Sequence, residues 1–351
     1  MKFNIKKHNL TDIINLKFGV YNPLKEFTSK EEFLKIVYHL KTNENKFFPF
    51  PIFLNISSKI NKKIKNKNKL SVYYNSTKVC DLEIKSIYQL NKIDVGRKIF
   101  NTKDINHPGF KHFIKTEKYF LQASIINFNN KILKKIKFIK PFKIKSEIHK
   151  KKLKTIAGFH TRNAPHKGHE WIHSYGLKKC GGLLIQPMIG QYKKYEYKDS
   201  FIVKSNLKII KKFYKNKKIL FSLYNSYPKY GGHREAMLHA LVRKNYGCSH
   251  FLIGRDHAGV KNYYKKYDSQ KICKKYEKKL GIKILIFNEP YLCKNCKKIV
   301  NKKKHGCKKN FKIPINGTYI RSRLRKKLNI PEELMRAEIS NILNKQSIIE
   351  K

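Results

Sequence analysis

With 351 residues and 40% hydrophobic content, the chain is long enough to bury the cores of two domains, with room for a small third piece. No run approaches the ~18 uninterrupted apolar residues of a membrane span, and the polar residues 1–10 lack the apolar core of a signal peptide, so a cytoplasmic protein with no membrane partner is expected. The formal charge of +57 ordinarily points to nucleic acid, but only nine of the 80 cations are arginine, and Lys, Asn and Ile share A/T-rich codons, so base-composition drift accounts for the charge and nucleic-acid binding is not expected.

Residues 1–150 read as short, β-rich segments, with extended runs at 70–79, 82–88 and 119–128. Pro49 and Pro51 limit 47–54 to an edge or irregular strand. No catalytic constellation stands here, and the lysine-rich stretch 131–154 reads as a domain boundary. Beyond it the texture changes. Expected strands at 155–159, 182–187, 218–224, 250–253 and 283–287 alternate with expected helices near 167–179, 200–215, 233–246 and 262–280. Gly247 is placed to cap the third of these helices. Such alternation predicts an α/β domain built on a parallel sheet, with ligands bound outside the carboxyl ends of its strands. No GxxxxGK[ST] loop occurs, so a phosphate-cradling kinase module is not expected. Seven of the nine arginines fall within 162–325, and 14 of the 17 glycines within 158–317. Bidentate forks and special backbone geometry therefore concentrate in the second half.

Three segments there have residues suited to chemistry. In 159–170 (FHTRNAPHKGHE) a strand runs through a turn into a helix start. His166 and His169, three apart, are expected on one helix face, beside unpaired N–H groups that favour phosphate. Gly168 lets a nucleotide approach the backbone, and Arg162 and Asn163 reach the same anion. In 250–259 (HFLIGRDHAG) an apolar strand again meets a tight polar turn, where Gly254 and Gly259 would leave amides open and Arg255 supplies a fork. In 315–325 (INGTYIRSRLR) Thr318 is expected to cap a helix, and Arg321 completes a second phosphate site. Taken singly, the first could be two surface histidines that only cap a helix, and the second a purely structural turn. Together, HxGH and IxxTxxR resemble the paired marks of α/β nucleotidyltransferases, the first gripping the α- and β-phosphates and the second the departing pyrophosphate.

More specifically, 161–170 resembles the TRNxPH…H signature of the ATP sulfurylase family. The block 233–259 (HREAMLHALVRKNYGCSHFLIGRDHAG) is very similar to that family's longest uninterrupted block. Residues 315–324 resemble its third block, and 19–33 (GVYNPLKEFTSKEEF), 48–54 (FPFPIFL) and 107–110 (HPGF) also fit. The resemblance implies an N-terminal β-rich PUA-like domain (1–152), a Rossmann-like catalytic domain (153–290) and a zinc-knuckle and helical segment carrying INGTxxR (291–351). It implies no kinase domain, since the sequence stops at Lys351. It implies a sulfate adenylyltransferase acting on ATP, sulfate, adenylyl sulfate and pyrophosphate, with Mg²⁺ accompanying ATP, and a homo-oligomer. By position, Thr161, Arg162 and Asn163 would meet the reacting phosphosulfate centre. His160, His166, His169, Gly254, Arg255, Asp256, His257, Ala258, Thr318 and Arg321 would bind ATP or sulfate. Two departures stand out. The family usually has glutamine where this chain has His160, which implies either an altered sulfate affinity or a damaged enzyme. The segment 187–197 also leaves the family's usual run.

Seven cysteines, an odd number in a chain of this length, do not form a disulfide framework. Cys293 and Cys296 make a CxxC knuckle, followed by His305 and Cys307, a donor set suited to tetrahedral Zn²⁺. The alternative is a group of reduced, unligated thiols. Some ATP sulfurylases carry a similar zinc knot with histidine after the third cysteine; here Lys-Lys-Asn follows Cys307, which leaves His305 as the candidate fourth ligand. Cys80, Cys180, Cys248 and Cys273 show no partner pattern and are expected to be core or helix residues. Two other functions remain open. One is another HxGH adenylyltransferase, acting on a nucleotide or pantetheine, against which the TRN and GRDHAG segments argue. The other is a non-enzymatic basic binding protein with a degraded site, which His160 favours.

Overall fold

The computed structural model describes residues 2–190, 195–301, 305, 307 and 312–349. The chain divides into two compact units, neither continuous in sequence: Met1–Lys145 with Asn225–Gly247 and Asp256–Lys283, and Ser146–Tyr224 with Cys248–Arg255 and Ile284–Lys351.

The first unit contains a five-stranded sheet of β1 (Lys2–Asn4), β2 (Leu54–Ile56), β3 (Lys69–Tyr74), β4 (Thr77–Tyr88) and β5 (Tyr119–Ile126), in the order β1-β3-β4-β5-β2. The expected single run over 70–79 is in fact two strands. β3 and β4 form a hairpin closed by the pair Tyr74 and Thr77, with Asn75 and Ser76 at φ 44° and 60°. Two positive φ values give a turn whose twist matches that of its strands, and Asn tolerates that geometry. The propensity of the flanking Val and Tyr residues hid the turn. Several helices accompany the sheet. Lys30–His39 starts on Ser29, whose Oγ accepts from the Glu32 N–H at 3.1 Å, the first half of a capping box. His233–Asn245 buries ten consecutive residues, Arg234 to Arg243, as a helix does when it is covered on all sides. Gly247 follows it at φ 97°, its N–H reaching the Lys244 carbonyl at 2.8 Å, as expected of a residue closing a helix. The helix expected over 262–280 begins only at Asp268. Its carboxylate accepts from the Lys265 N–H, and the preceding residues are held in turns, with the Asp256 N–H donating to the Lys266 carbonyl.

The second unit is built on β6 (Ile156–Thr161), β7 (Gly182–Ile189), β8 (Ile219–Phe221), β9 (Tyr224–Asn225), β10 (His250–Ile253) and β11 (Lys283–Ile286). The path is β11-β10-β6-β7-β8, with β9 pairing β7. β10, β6, β7 and β8 run parallel. All eight residues of β7 and all but His160 of β6 are buried. That is the burial of strands covered on both faces, and it explains their nearly continuous apolar sequence. Helices Lys167–Lys179, Asp199–Phe213 and Gly317–Arg325 contribute to the core over this sheet, through Ile202, Ile209, Ile320 and Leu324 among others. A third, antiparallel sheet orders β12 (Tyr291–Cys293), β13 (Ile299–Val300) and β14 (Lys312–Pro314) as β13-β12-β14, above a small core of Leu292, Ile315 and Leu334. Among the described residues, no helix is long and apolar enough to cross a membrane.

Candidate active site

β6 ends at Thr161, at the carboxyl edge of the parallel sheet. The Thr161 Oγ1 accepts the Asn163 N–H at 3.0 Å and so sets the turn that follows. That turn delivers His166 as the N-cap of helix Lys167–Lys179, in extended conformation, its Nδ1 accepting the His169 N–H at 3.3 Å. The two imidazoles stack with centroids 3.8 Å apart and planes 25° apart. The sequence places them on one helix face; the structure brings them together because His166 lies outside the helix and folds back to cap it. Both are buried. Burial holds the His169 imidazolium far out of reach, lowering its pKa to about 3. His166 is also driven well below its ordinary range by burial, and then by His169, His173 and Arg321. Both rings are therefore neutral at physiological pH and can offer phosphate an N–H without a full charge. The Nδ1 of His169 is buried with no hydrogen-bond partner. Behind them His173, which no sequence motif singles out, meets the Tyr214 hydroxyl at 3.0 Å and packs edge-to-face with Phe159.

Helix Gly317–Arg325 is capped by Asn316, which accepts from the Tyr319 N–H at 2.9 Å. Thr318, the expected cap, is already the second helical residue, and its hydroxyl accepts from Arg321 at 3.4 Å. Asn316 prevails because it is the residue still in extended backbone, at φ −142°. Arg321 also donates a short hydrogen bond to the Asn163 Oδ1, joining the first and third motifs across 158 positions. The fit is close. A Cβ at Gly317 would stand 2.5 Å from the Asn163 Oδ1, and one at Gly168 would stand 3.1 Å from the His166 ring and 3.3 Å from the Ile315 carbonyl. The small residue at 168 thus has a reason inside the protein, beside the ligand approach expected from sequence. Arg162 pairs with Glu196 at 3.6 Å, and Arg321 lies over the Tyr197 ring at 5.9 Å. Desolvation lowers the pKa of Arg321, with Arg162 opposing and Glu196 favouring its charge.

The second motif is divided by the unit boundary. Gly254 and Arg255 directly follow β10 in the second unit, where Arg255 pairs with Glu289 at 2.6 Å. Asp256, His257 and Ala258 belong to the first unit. There the His257 Nε2 lies 3.1 Å from the His239 Nδ1, and the Ser269 hydroxyl donates to the His257 carbonyl. The left-handed positions in this turn are Asp256 and Ala258, both at φ 57°, and not the glycines. The Gly259 amide, expected to be open, donates to the Asp256 carbonyl at 3.1 Å. His160 is half-buried on β6, in register with Gln186 of β7.

Of the remaining arginines, Arg234 is a structural clamp on the carbonyls of Ile36, Val37 and Pro49. Arg336 forks onto Glu170 at 2.7–3.0 Å, so the last residue of the first motif serves the fold. Sequence reasoning also passed over Glu196. The signal was its sign: in a chain with 23 acidic and 80 basic residues, an acid beside the motif-bearing strand ends is scarce.

Cys293, Cys296, His305 and Cys307 bring one ligand atom each within 4.8 Å of one another. The His305 Nδ1 meets the Tyr291 hydroxyl at 3.3 Å, whereas its Nε2 is buried with no hydrogen-bond partner. The backbone N–H of Cys296 lowers the pKa of the Cys293 thiol. Three sulfurs and an orphaned imidazole nitrogen at this spacing fit a four-coordinate metal ion. Cys80, Cys180, Cys248 and Cys273 are buried core residues.

Residues 137–346 match the ATP-sulfurylase family model, and residues 1–130 match that of a PUA-like domain. Among curated relatives, proteins named sulfate adenylyltransferase are similar over nearly the whole chain. That of Ignicoccus hospitalis is 31% identical over 333 residues, covering 95% of this chain and 87% of the relative. That of Pyrococcus abyssi is 31% identical over 343 residues, covering 97% and 89%. That of Halothermothrix orenii is 30% identical over 354 residues, covering 97% and 90%. A solved structure described as a hexameric APS kinase from Thiobacillus denitrificans superposes with a TM-score of 0.75 at 16% identity, covering 99% of this chain and 63% of that one. That likeness is one of fold.

Proposed function

The chain belongs to the ATP-sulfurylase family, and from that premise we propose that it is a sulfate adenylyltransferase, interconverting ATP and sulfate with adenylyl sulfate and pyrophosphate. The observation that carries the reading is the cluster at the end of β6, where Asn163 and Arg321 join beside the stacked His166 and His169. Both reactants are anions, and sulfate is a weak nucleophile. A sulfate oxygen attacks the α-phosphorus in line, the bond to the β-phosphate bridging oxygen breaks, and pyrophosphate departs with the electron pair. No protein group need bond covalently, so catalysis rests on positioning and on stabilising negative charge.

Thr161, Arg162 and Asn163 are assigned to the reacting centre. His166 and His169 hold phosphate as neutral donors, and Thr318 and Arg321 receive the departing pyrophosphate. His160, Gly254, Arg255, Asp256, His257 and Ala258 are assigned to the sulfate and phosphate contacts. Mg²⁺ accompanying ATP would supply charge neutralisation on its polyphosphate. Cys293, Cys296, His305 and Cys307 are assigned to a closed, structural Zn²⁺ site. We retain 1–152, 153–290 and 291–351 as the functional division, and propose a cytoplasmic homo-oligomer with no nucleic-acid partner.

The mixed anhydride is the high-energy side of the reaction, so the sensitive assay is ATP formation from adenylyl sulfate and pyrophosphate with Mg²⁺. The unaltered protein is expected to form ATP, and His160→Gln to shift the KM for adenylyl sulfate more than kcat. Activity only in His160→Gln would mean a correct fold with an impaired sulfate contact. Silence from both, with folding verified, would remove the assignment.

A further inference from the structure

The loop after β7 supplies a charge that the proposed reaction does not account for. Glu196 lies 3.6 Å from Arg162, and this carboxylate and Arg162 act on Arg321 in opposite senses. Arg162, assigned to anionic substrate, thus already has an acid of the chain's own in contact, and the same acid favours the charge on Arg321, whose guanidinium lies over the ring of the next residue, Tyr197. The carboxylate is only partly exposed, at 19%, against 33% for Arg162. Its backbone is fixed. The Ile349 N–H donates to the Glu196 carbonyl at 2.9 Å, the Tyr195 N–H to the Ile349 carbonyl at 2.6 Å and the Lys198 N–H to the Ser347 carbonyl at 2.9 Å, and Tyr197 bridges Ile348 in antiparallel fashion. Tyr195 takes φ 67°, a left-handed conformation unfavourable for a bulky residue, with the Arg325 guanidinium 3.7 Å over its ring. A strained residue braced on both sides is a costly way to place an ordinary surface acid.

We propose that Glu196 is a built-in counter-ion for Arg162 and Arg321, displaced when the anionic group of the substrate arrives, and that its pairing with segment 347–349 sets its position. Resting on the sulfurylase reading of the site, this makes Glu196 a specificity-determining residue. It keeps two neighbouring cations tolerable before substrate binds, and it sets a threshold that singly charged or poorly placed anions do not pass. Removing its charge should raise the positive potential at Arg162 and tighten anion binding, the reverse of losing a substrate contact.

The test measures Kd for adenylyl sulfate and for inorganic sulfate by titration calorimetry, with steady-state ATP formation alongside, for the unaltered protein, Glu196→Gln and Glu196→Asp. Glu196→Gln is expected to bind both anions about three- to fivefold more tightly, the scale of one partly exposed ion pair, and to lower the KM for adenylyl sulfate with kcat within about twofold of the parent. Glu196→Asp should stay near the parent. Unchanged or weaker binding in a folded, active Glu196→Gln protein would overturn the counter-ion and leave the sulfurylase reading standing. Tighter sulfate binding without ATP formation in any of the three proteins would uphold the counter-ion and remove that reading. Failure of all three to bind either anion would overturn both.

Discussion

The contact between Gly317 and Asn163 permits a separation of stability from activity. In Gly317→Ala, the new Cβ would stand 2.5 Å from the Asn163 Oδ1 and 2.8 Å from its Nδ2, closer than van der Waals contact allows, while Gly317 itself has ordinary helical backbone. Asn163 must turn away, which breaks its hydrogen bond with Arg321. A hydrogen bond to a charged group is worth ~1.5–3 kcal/mol. Its loss would cost about ten- to a hundredfold in kcat/KM if Asn163 and Arg321 act together on the reacting anion. Gly317 is the first helical residue, where alanine gains only part of the ~1 kcal/mol it holds over glycine in a helix interior, and that part offsets some of the strain in the fold. The expected result is therefore a protein whose melting temperature lies within a few degrees of the parent and whose ATP formation from adenylyl sulfate falls by at least tenfold. Initial rates read through a luciferase couple, with melts by circular dichroism, provide both numbers. Activity within twofold of the parent at unchanged stability would refute the coupling of the two motifs. A collapse of both would assign the contact to folding.

Two further outcomes follow from the histidines and the cysteine cluster. His169 titrates at about 3 in the folded chain, against an ordinary value of 6.5. Between those values the unfolded chain binds a proton that the folded chain refuses, so this stability is complete above about pH 6.5 and declines as pH falls toward 3. Melting temperatures at pH 7.5, 6 and 5 should fall more steeply for the parent than for His169→Gln; equal slopes would contradict a buried neutral imidazole. Metal analysis should find one zinc per chain, lost in Cys307→Ser together with a lower melting temperature. Metal-free parent protein that melts at the same temperature before and after zinc addition would refute the closed metal site.

The fit between sequence and structure is closest where information is local. The parallel strands at 156–161, 182–189, 219–221 and 250–253 and the helices at 167–179 and 233–245 are legible because periodicity and length separate them, and because Gly247 ends a helix by a rule that needs no distant partner. The hairpin at Asn75 and Ser76 escaped because two turn residues stand between segments of equally strong β character. Arginine scarcity singled out residues with special duties, but the duty at Arg234 is to hold three backbone carbonyls, and at Arg336 to hold Glu170. Composition marks a demanding position without naming its partner.

What the sequence determines by itself, then, is the alternation that builds a parallel sheet and the strand ends at which TRN, HxGH and GRD emerge, because strand–turn–helix geometry is fixed by a dozen neighbouring residues. Only the tertiary structure decides that His166 caps and stacks on His169, that Asn163 touches Arg321 from 158 positions away, and that Glu196 occupies the space beside Arg162. Those contacts depend on how helix Gly317–Arg325 and segment 347–349 settle in the unit built on the sheet, and close packing between distant segments leaves no period in either of them.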